Sequence, residues 1–171
     1  MGGRLGQRLG ASGGLQGKSL SDVEGRIKNQ GFESAALYVN GRQVFFKDGE
    51  KSFVAFTNEE AALMKGGVLT HNHPSSRSFS EADFIIFNNT KMKEIRAVSR
   101  LYTYSLTNET GKNISEANLR SIIKRADNEV RRRFGPLVDN DKMTIEYANA
   151  NHHHEVNLIV ARQTGFTYKR F

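Results

Sequence analysis

Alternating apolar and polar positions in the first two thirds of the chain predict short strands separated by turns. The Asn40-Gly41 pair lies between two β-prone segments and is typical of a type I′ hairpin turn, because both residues of that turn need positive φ. The predicted strands cover residues 34–39, 42–46, 52–56, 68–71, 95–99 and 102–106.

Helices are predicted where a capping residue precedes apolar residues spaced three or four positions apart. Leu119, Ile123 and Val130 belong to the clearest apolar stripe, and Gly135-Pro136 is predicted to end that helix. The predicted helices cover residues 21–31, 57–65, 80–92, 113–134 and about 142–164. The order of elements predicts an α/β protein, a mixed sheet flanked by helices, with a C-terminal helical extension.

The composition divides the chain into three parts. Residues 1–18 hold seven glycines, a density that opposes regular structure and predicts a flexible basic lead-in. Residues 19–110 carry the predicted sheet and the candidate metal ligands, and residues 111–171 are predicted to be helices packed on it.

The net charge of +7 is concentrated in two segments. Residues 1–20 hold three basic and no acidic residues, and residues 120–133 hold six basic and two acidic ones. Such segments suit nucleic acid or an acidic protein surface as a partner, and the alternative is a solvated charged face. No apolar run approaches the length of a membrane span, and the N-terminus has no apolar signal core, so we expect neither membrane insertion nor secretion.

The candidate chemistry is concentrated around His71-Asn72-His73-Pro74, which is followed by Ser80 and Asp83. Positions 71 and 73 share one face of a strand, and positions 80 and 83 lie one turn apart at a helix start. If the strand end meets the helix start, two imidazoles and one carboxylate converge, as in a catalytic zinc site with an open fourth position. The chain has no cysteine, so any metal site must use histidine and carboxylate.

Each half of this pattern also has an ordinary structural interpretation. Ser-x-x-Asp at a helix start is a common cap, and His-x-His is common on surfaces and in turns. A hydrolytic zinc site further needs a general base and an oxyanion donor. Ser80 is the candidate donor and Glu33, entering the first strand, is the candidate base. Glu59 and Glu60 are weaker candidates because they suit the first turn of a helix.

The second histidine group, His152-His153-His154, falls on the last predicted helix. Successive helical side chains point in different directions, so these three are not expected to bind one metal. They are either partly covered helix residues or groups near a substrate.

An upstream Glu, His-x-His-Pro and then Ser-x-x-Asp together resemble the JAMM (MPN+) metalloprotease motif. The segment His71-Asn72-His73-Pro74-Ser75 also resembles the corresponding segment of bacterial RadC-type proteins of the same superfamily. The wider frame, residues 31–106, is similar to JAMM-like domains of phage head morphogenesis proteins of the Mu F type and of polymorphic toxins. One departure is that six residues separate His73 from Ser80, whereas the commonest JAMM spacing is seven.

The resemblance implies a cytidine-deaminase-like MPN/JAMM fold and a zinc hydrolase that cuts peptide or isopeptide bonds. His71, His73 and Asp83 would bind Zn²⁺, Glu33 would be the base and Ser80 the oxyanion stabiliser. It further implies a phage or prophage head-associated protein, cytoplasmic or virion-associated, with a protein or peptide substrate. Two alternatives remain: a non-catalytic virion module that binds DNA or an acidic protein surface, and a RadC-like protein acting on nucleic acid.

Overall fold

A six-stranded sheet runs through the centre of residues 14–171, the part of the chain that the computed structural model describes. The strands are β1 (Ser34–Val39), β2 (Arg42–Asp48), β3 (Val68–Asn72), β4 (Glu94–Val98), β5 (Thr103–Thr107) and β6 (Thr167–Arg170). The helices are α1 (Leu20–Ile27), α2 (Asn58–Ala62), α3 (Glu81–Asn89), α4 (Glu116–Asp139) and α5 (Ile145–Thr164). This confirms the predicted α/β class.

The strand order is β2-β1-β3-β4-β5-β6, and the sheet is mixed because β3 and β4 alone pair in parallel. The predicted hairpin turn between β1 and β2 is confirmed, with φ of 51° at Asn40 and 76° at Gly41. Parallel strands need a crossover connection, and α3 provides it between β3 and β4. The crossover begins where β3 ends, so the carboxyl end of β3 comes close to the start of α3.

Helices cover the sheet unequally on its two faces. On one face, Val23 and Ile27 of α1 pack against Ala36 of β1. On the other face, Ala35 and residues of β3 to β5 pack against α3, α4 and α5 in the larger core. Ala35 pairs with His71 across β1 and β3, so the candidate ligands face the larger core.

The predicted strand at residues 52–56 is wrong. This segment is an irregular connection that leaves the sheet after β2, and Phe53 is 54% exposed. Its aromatic and β-branched residues favour a strand locally, but no neighbouring strand supplies the hydrogen bonds that a strand requires. Conversely, β6 was not predicted, although it pairs with β5 and forms the edge strand of the sheet next to it.

Several predicted helix boundaries are also wrong. Ser19 and Ser115 cap α1 and α4, not Ser21 and Asn113. α1 and α3 end earlier than predicted, at Ile27 and Asn89, and α2 ends at Ala62.

α4 continues through Gly135-Pro136 to Asp139, so the predicted stop at this pair is wrong. A proline inside a helix removes the hydrogen bond to the carbonyl four residues earlier, here that of Arg132. Both Arg132 and Pro136 are exposed, so water can take over that carbonyl and the helix survives the loss.

The described part of the predicted lead-in is packed against the sheet. Residues 1–13 lie outside the described residues, whereas Leu15 is buried beside α1. Tyr38 Oη donates a hydrogen bond to the Lys18 carbonyl at 2.8 Å. Among residues 14–171, no helix combines the length and apolar character needed to cross a bilayer.

The basic segment at residues 120–133 forms α4, where several arginines are paired with acids. Arg131 binds Asp127 at 2.7 Å and Arg133 binds Glu155 at 2.9 Å. Arg120 is paired with acids on α3 and on its own helix. These ion pairs reduce the charge that this surface offers to a partner, and the acidic partner stays a prediction.

Candidate metal centre

Two histidines and one aspartate converge where β3 ends and α3 begins. His71 Nε2 lies 2.9 Å from His73 Nε2 and 3.1 Å from Asp83 Oδ1, and His73 Nε2 lies 3.6 Å from Asp83 Oδ2. All three ligand atoms lie within 4.8 Å of one another, so the group could hold a metal ion. Two ligands of one tetrahedral zinc, each bonded at about 2.0–2.1 Å, lie about 3.3 Å apart. The observed separations are close to that value.

The Ser80–Asp83 pair forms a capping box at the start of α3. Ser80 N donates to Asp83 Oδ2 at 2.7 Å, and Asp83 N donates to Ser80 Oγ at 3.3 Å. The other carboxylate oxygen, Oδ1, faces His71. Because the capping bonds use Oδ2, the carboxylate can cap the helix and still offer Oδ1 to a metal, so the two interpretations of Ser-x-x-Asp are compatible.

His73 is held in the tautomer that a metal ligand needs. Its Nδ1 lies 2.8 Å from the Arg77 carbonyl, which can only accept, so Nδ1 carries the proton. Burial and the neighbouring His71 lower the pKa of His73, which favours the neutral ring. The Nε2 lone pair then faces the site, where His71 Nε2 lies 2.9 Å away, as in histidine ligands whose other ring nitrogen is fixed by a carbonyl.

His71 and Asp83 form a buried ion pair. Burial opposes charge on both, but their mutual attraction is stronger: it raises the pKa of His71 and, with His73 and the Ser80 N–H, lowers the pKa of Asp83 far below its usual range. His71 Nδ1 is buried and has no hydrogen-bond partner among the described residues. A metal ion at this site would displace a proton from His71.

Glu33 lies immediately before β1 and is 8% exposed. Two positions from Ala35, it shares the strand face that carries His71, and it lines the same cleft. Burial raises the pKa of Glu33 to about 7; His71 lowers it in part and Asp83 raises it further. Its carboxylate is not part of the three-residue ligand group.

The two weaker base candidates lie away from this centre. Glu60 completes a capping box with Thr57 and binds Lys47 at 2.8 Å. Glu59 is exposed in the first turn of α2. Neither lines the cleft that contains the histidines.

The centre opens into a cleft of about 880 Å³. One part of its wall is polar and contains Glu33, Ser80 and the three candidate ligands. Another part is apolar and comes from the irregular connection after β2 and from α3; it contains Phe53, Val54, Phe56, Ile85 and Ile86. The connection that was wrongly predicted as a strand therefore forms a wall of the site.

The histidines of α5 diverge, as predicted. His152 Nε2 lies 2.6 Å from Asp127 Oδ1 of α4, and His154 Nδ1 lies 2.8 Å from Tyr168 Oη of β6. His153 lines the cleft, with Nδ1 3.4 Å from the Ser78 carbonyl. The sequence indicated that one of them could lie near a substrate but not which one.

A polar network ties the C-terminal elements to the connection between His73 and Ser80. The Ser78 hydroxyl lies 2.7 Å from Tyr168 Oη, and Asn157 Nδ2 donates to it at 2.8 Å. Asn157 Nδ2 also lies 3.2 Å from the Phe79 carbonyl. No sequence pattern predicted this network, because it depends on strand β6, which was itself not predicted.

We expect Tyr168→Phe to lower metal affinity by about 3- to 10-fold, somewhat less than the loss of a group bonded directly to a ligand. The variant keeps the ring but removes the hydroxyl that holds Ser78, so the connection after His73 becomes less fixed. A competitive titration with a chromogenic chelator measures this. Tyr102→Phe is the matched control, since Tyr102 is partly exposed and packs against Tyr104 and Arg170 through its ring. Equal affinity in both variants would contradict the assigned role of the network.

Comparison with known proteins gives no relative for this chain. No protein-family model matches it, and no curated protein and no solved structure matches it significantly.

Proposed function

We propose that this protein is a zinc-dependent metallopeptidase or isopeptidase with a JAMM/MPN-type fold. The observation that carries the proposal is the convergence of His71, His73 and Asp83, with Glu33 and Ser80, at one cleft. The motif order also supports it: His-x-His-Pro ends β3, and Ser-x-x-Asp opens the crossover helix α3. The link to a phage or prophage head-associated protein rests on the sequence resemblance alone.

Zinc is the metal that this donor set favours. Two imidazole nitrogens and one carboxylate oxygen are common zinc ligands, and three protein ligands leave a fourth position for water or substrate. Magnesium and calcium prefer oxygen ligands and higher coordination numbers, which this buried group does not offer.

A bound zinc would act as a Lewis acid and lower the pKa of a water molecule to near 7. Glu33 would take the proton from the attacking water and deliver it to the amine that leaves as the C–N bond breaks. In the metal-free protein, burial raises the pKa of Glu33 to about 7, and a base is most useful when its pKa lies near the working pH.

Ser80 would stabilise the negative charge that develops on the carbonyl oxygen. Its hydroxyl donates to Asp83 Oδ2 at 2.8 Å, so it must release that bond in order to donate to a substrate. The Ser80 N–H bond to Asp83 can remain during this change and keeps the helix start in place.

The cleft favours a polypeptide over nucleic acid as substrate. Its wall is largely apolar beside the candidate ligands, and the described cationic side chains that line it are Arg77 and Arg120. Arg120 is already paired with Glu81 and Glu116, which leaves little positive charge for phosphates. A single metal with one carboxylate ligand is also less typical of nucleases than a two-metal site.

The test is hydrolysis by zinc-loaded protein of a mixed-sequence peptide library and of peptides joined through a lysine side chain, followed by mass spectrometry. We expect the wild-type protein to cleave an amide bond in at least one of these peptides and the Asp83→Asn variant to leave it intact. Zinc-loaded protein that cleaves a single-stranded oligonucleotide but no peptide would contradict the proposal and favour the nucleic-acid alternative.

A further inference from the structure

Asn72 lies between the two candidate histidine ligands and is 0% exposed. The backbone pairing of β1 with β3 ends at Ala35 and His71. One position further, the Asn72 side chain replaces the backbone: its Oδ1 accepts from Ser34 N at 2.7 Å, and its Nδ2 donates to the Phe32 carbonyl at 2.8 Å.

These two bonds bracket Glu33, because the Phe32 carbonyl and the Ser34 N–H are the peptide groups on either side of it. Glu33 is bonded on the opposite side by its own backbone. Its N–H donates to the Glu50 carbonyl at 2.9 Å, and its carbonyl accepts from Gly49 N at 2.8 Å. Four hydrogen bonds therefore fix the backbone that directs the Glu33 side chain into the cleft.

We propose that Asn72 is a positioning residue for Glu33, an inference that rests on the proposed function. The bracket needs a donor and an acceptor on one short planar group, which the asparagine amide supplies. Aspartate lacks the donor, and alanine leaves buried backbone groups without partners. By this arrangement, the same four-residue motif supplies two metal ligands and fixes the base.

Asn88 provides a matched control away from the centre. It is also buried, and its amide binds both backbone groups of one residue: Nδ2 donates to the Ile114 carbonyl at 2.7 Å and Oδ1 accepts from Ile114 N at 3.4 Å. Like Asn72→Ala, Asn88→Ala removes a buried amide that makes two hydrogen bonds to the backbone, but it does not touch Glu33. If both Asn72→Ala and Asn88→Ala lower stability but only Asn72→Ala disorders Glu33, the disorder of Glu33 is not a consequence of lower stability.

The first arm of the test needs no substrate. NMR couplings that report the χ1 angle of Glu33 are measured in zinc-loaded wild type, Asn72→Ala, Asn72→Asp and Asn88→Ala. We expect rotamer averaging of Glu33 in Asn72→Ala, a smaller effect in Asn72→Asp, and the wild-type pattern in Asn88→Ala. A Glu33 side chain as ordered in both Asn72 variants as in wild type would overturn the proposal. Asn72→Asp also decides the matter if the alanine variant does not fold.

The second arm is a double-mutant cycle on peptide hydrolysis at saturating zinc. We expect Asn72→Ala to lower kcat by about 10- to 100-fold, as small misplacements of catalytic groups do. In a Glu33→Gln background, the same change should lower kcat less than 2-fold, because its effect acts through Glu33. Equal losses in both backgrounds would overturn the proposal. If wild type hydrolyses no peptide, the proposed function fails, and the NMR arm still decides whether Asn72 holds Glu33.

Discussion

Asp83→Ala should lower zinc affinity by more than about 100-fold, the upper end of the loss seen when only an outer partner of a metal ligand is removed. The change removes the one anionic ligand of the group and leaves two histidines. It also removes the capping box of α3 and the ion-pair partner of the buried His71, so the free energy of unfolding of the metal-free protein should fall by more than the cost of a cap alone, about 1 kcal/mol. Zinc affinity by competitive titration and urea denaturation of the metal-free protein measure the two effects.

Two further variants separate ligation from capping. Asp83→Asn keeps one oxygen that can accept from Ser80 N but lacks the charge, so zinc affinity should fall while most of the capping is retained. Ser80→Ala removes the capping hydroxyl and keeps the carboxylate, so zinc should still bind. If Asp83→Ala retained wild-type zinc affinity, Asp83 would be only a helix cap.

Glu33→Gln should lower peptide hydrolysis by about 10²- to 10⁴-fold, the range for loss of a general base. Glutamine has nearly the same shape but cannot accept the proton. Because Glu33 is outside the ligand group, zinc content should stay that of wild type. A variant that retained wild-type kcat with zinc bound would exclude Glu33 as the base.

The same variant should change how the stability of the metal-free protein depends on pH. Burial raises the pKa of Glu33 from 4.5 to about 7 in the folded state, so the folded state binds more protons between these values. The free energy of unfolding therefore decreases as pH rises through this range, and the loss is complete above pH 7. Solvent in the cleft reduces the effect to about 1–2 kcal/mol.

Glutamine at position 33 does not ionise and avoids this loss. Between pH 5 and pH 8.5, the free energy of unfolding of Glu33→Gln should rise relative to wild type by that amount. Urea denaturation of both metal-free proteins at the two pH values measures the difference. If the free energies of unfolding of the two proteins differed by the same amount at pH 5 and at pH 8.5, the pKa of Glu33 would be the same in the folded and unfolded states.

Much of the fold could be predicted from local signals. The Asn40-Gly41 turn fixes the hairpin by backbone conformation, and the Ser80 cap fixes the start of α3. The errors in the strands arose because distant parts of the chain decide whether a segment finds a partner strand. Residues 52–56 have the composition of a strand but no partner strand, whereas the four residues of β6 form a strand because β5 lies beside them.

The same distinction applies to the site. His71, His73 and Asp83 could be brought together by periodicity, because a strand and a helix start each place their ligands on one face. Periodicity does not reveal His153, which depends on how α5 packs against the connection after His73. Nor does it reveal the two hydrogen bonds that Asn72 makes to the backbone on either side of Glu33. The pattern of apolar and polar positions does not show where a side-chain amide takes the place of backbone pairing between strands.

The most direct test of the metal centre is X-ray absorption at the zinc edge, on protein stripped of metal and reloaded with one equivalent of zinc. We expect one tightly held zinc per chain, with two imidazole nitrogens and oxygen ligands at about 2.0–2.1 Å. In His71→Ala, one imidazole should be lost and the zinc held weakly. If wild type failed to retain zinc, or if its zinc had no imidazole ligand, His71, His73 and Asp83 would not form a zinc site.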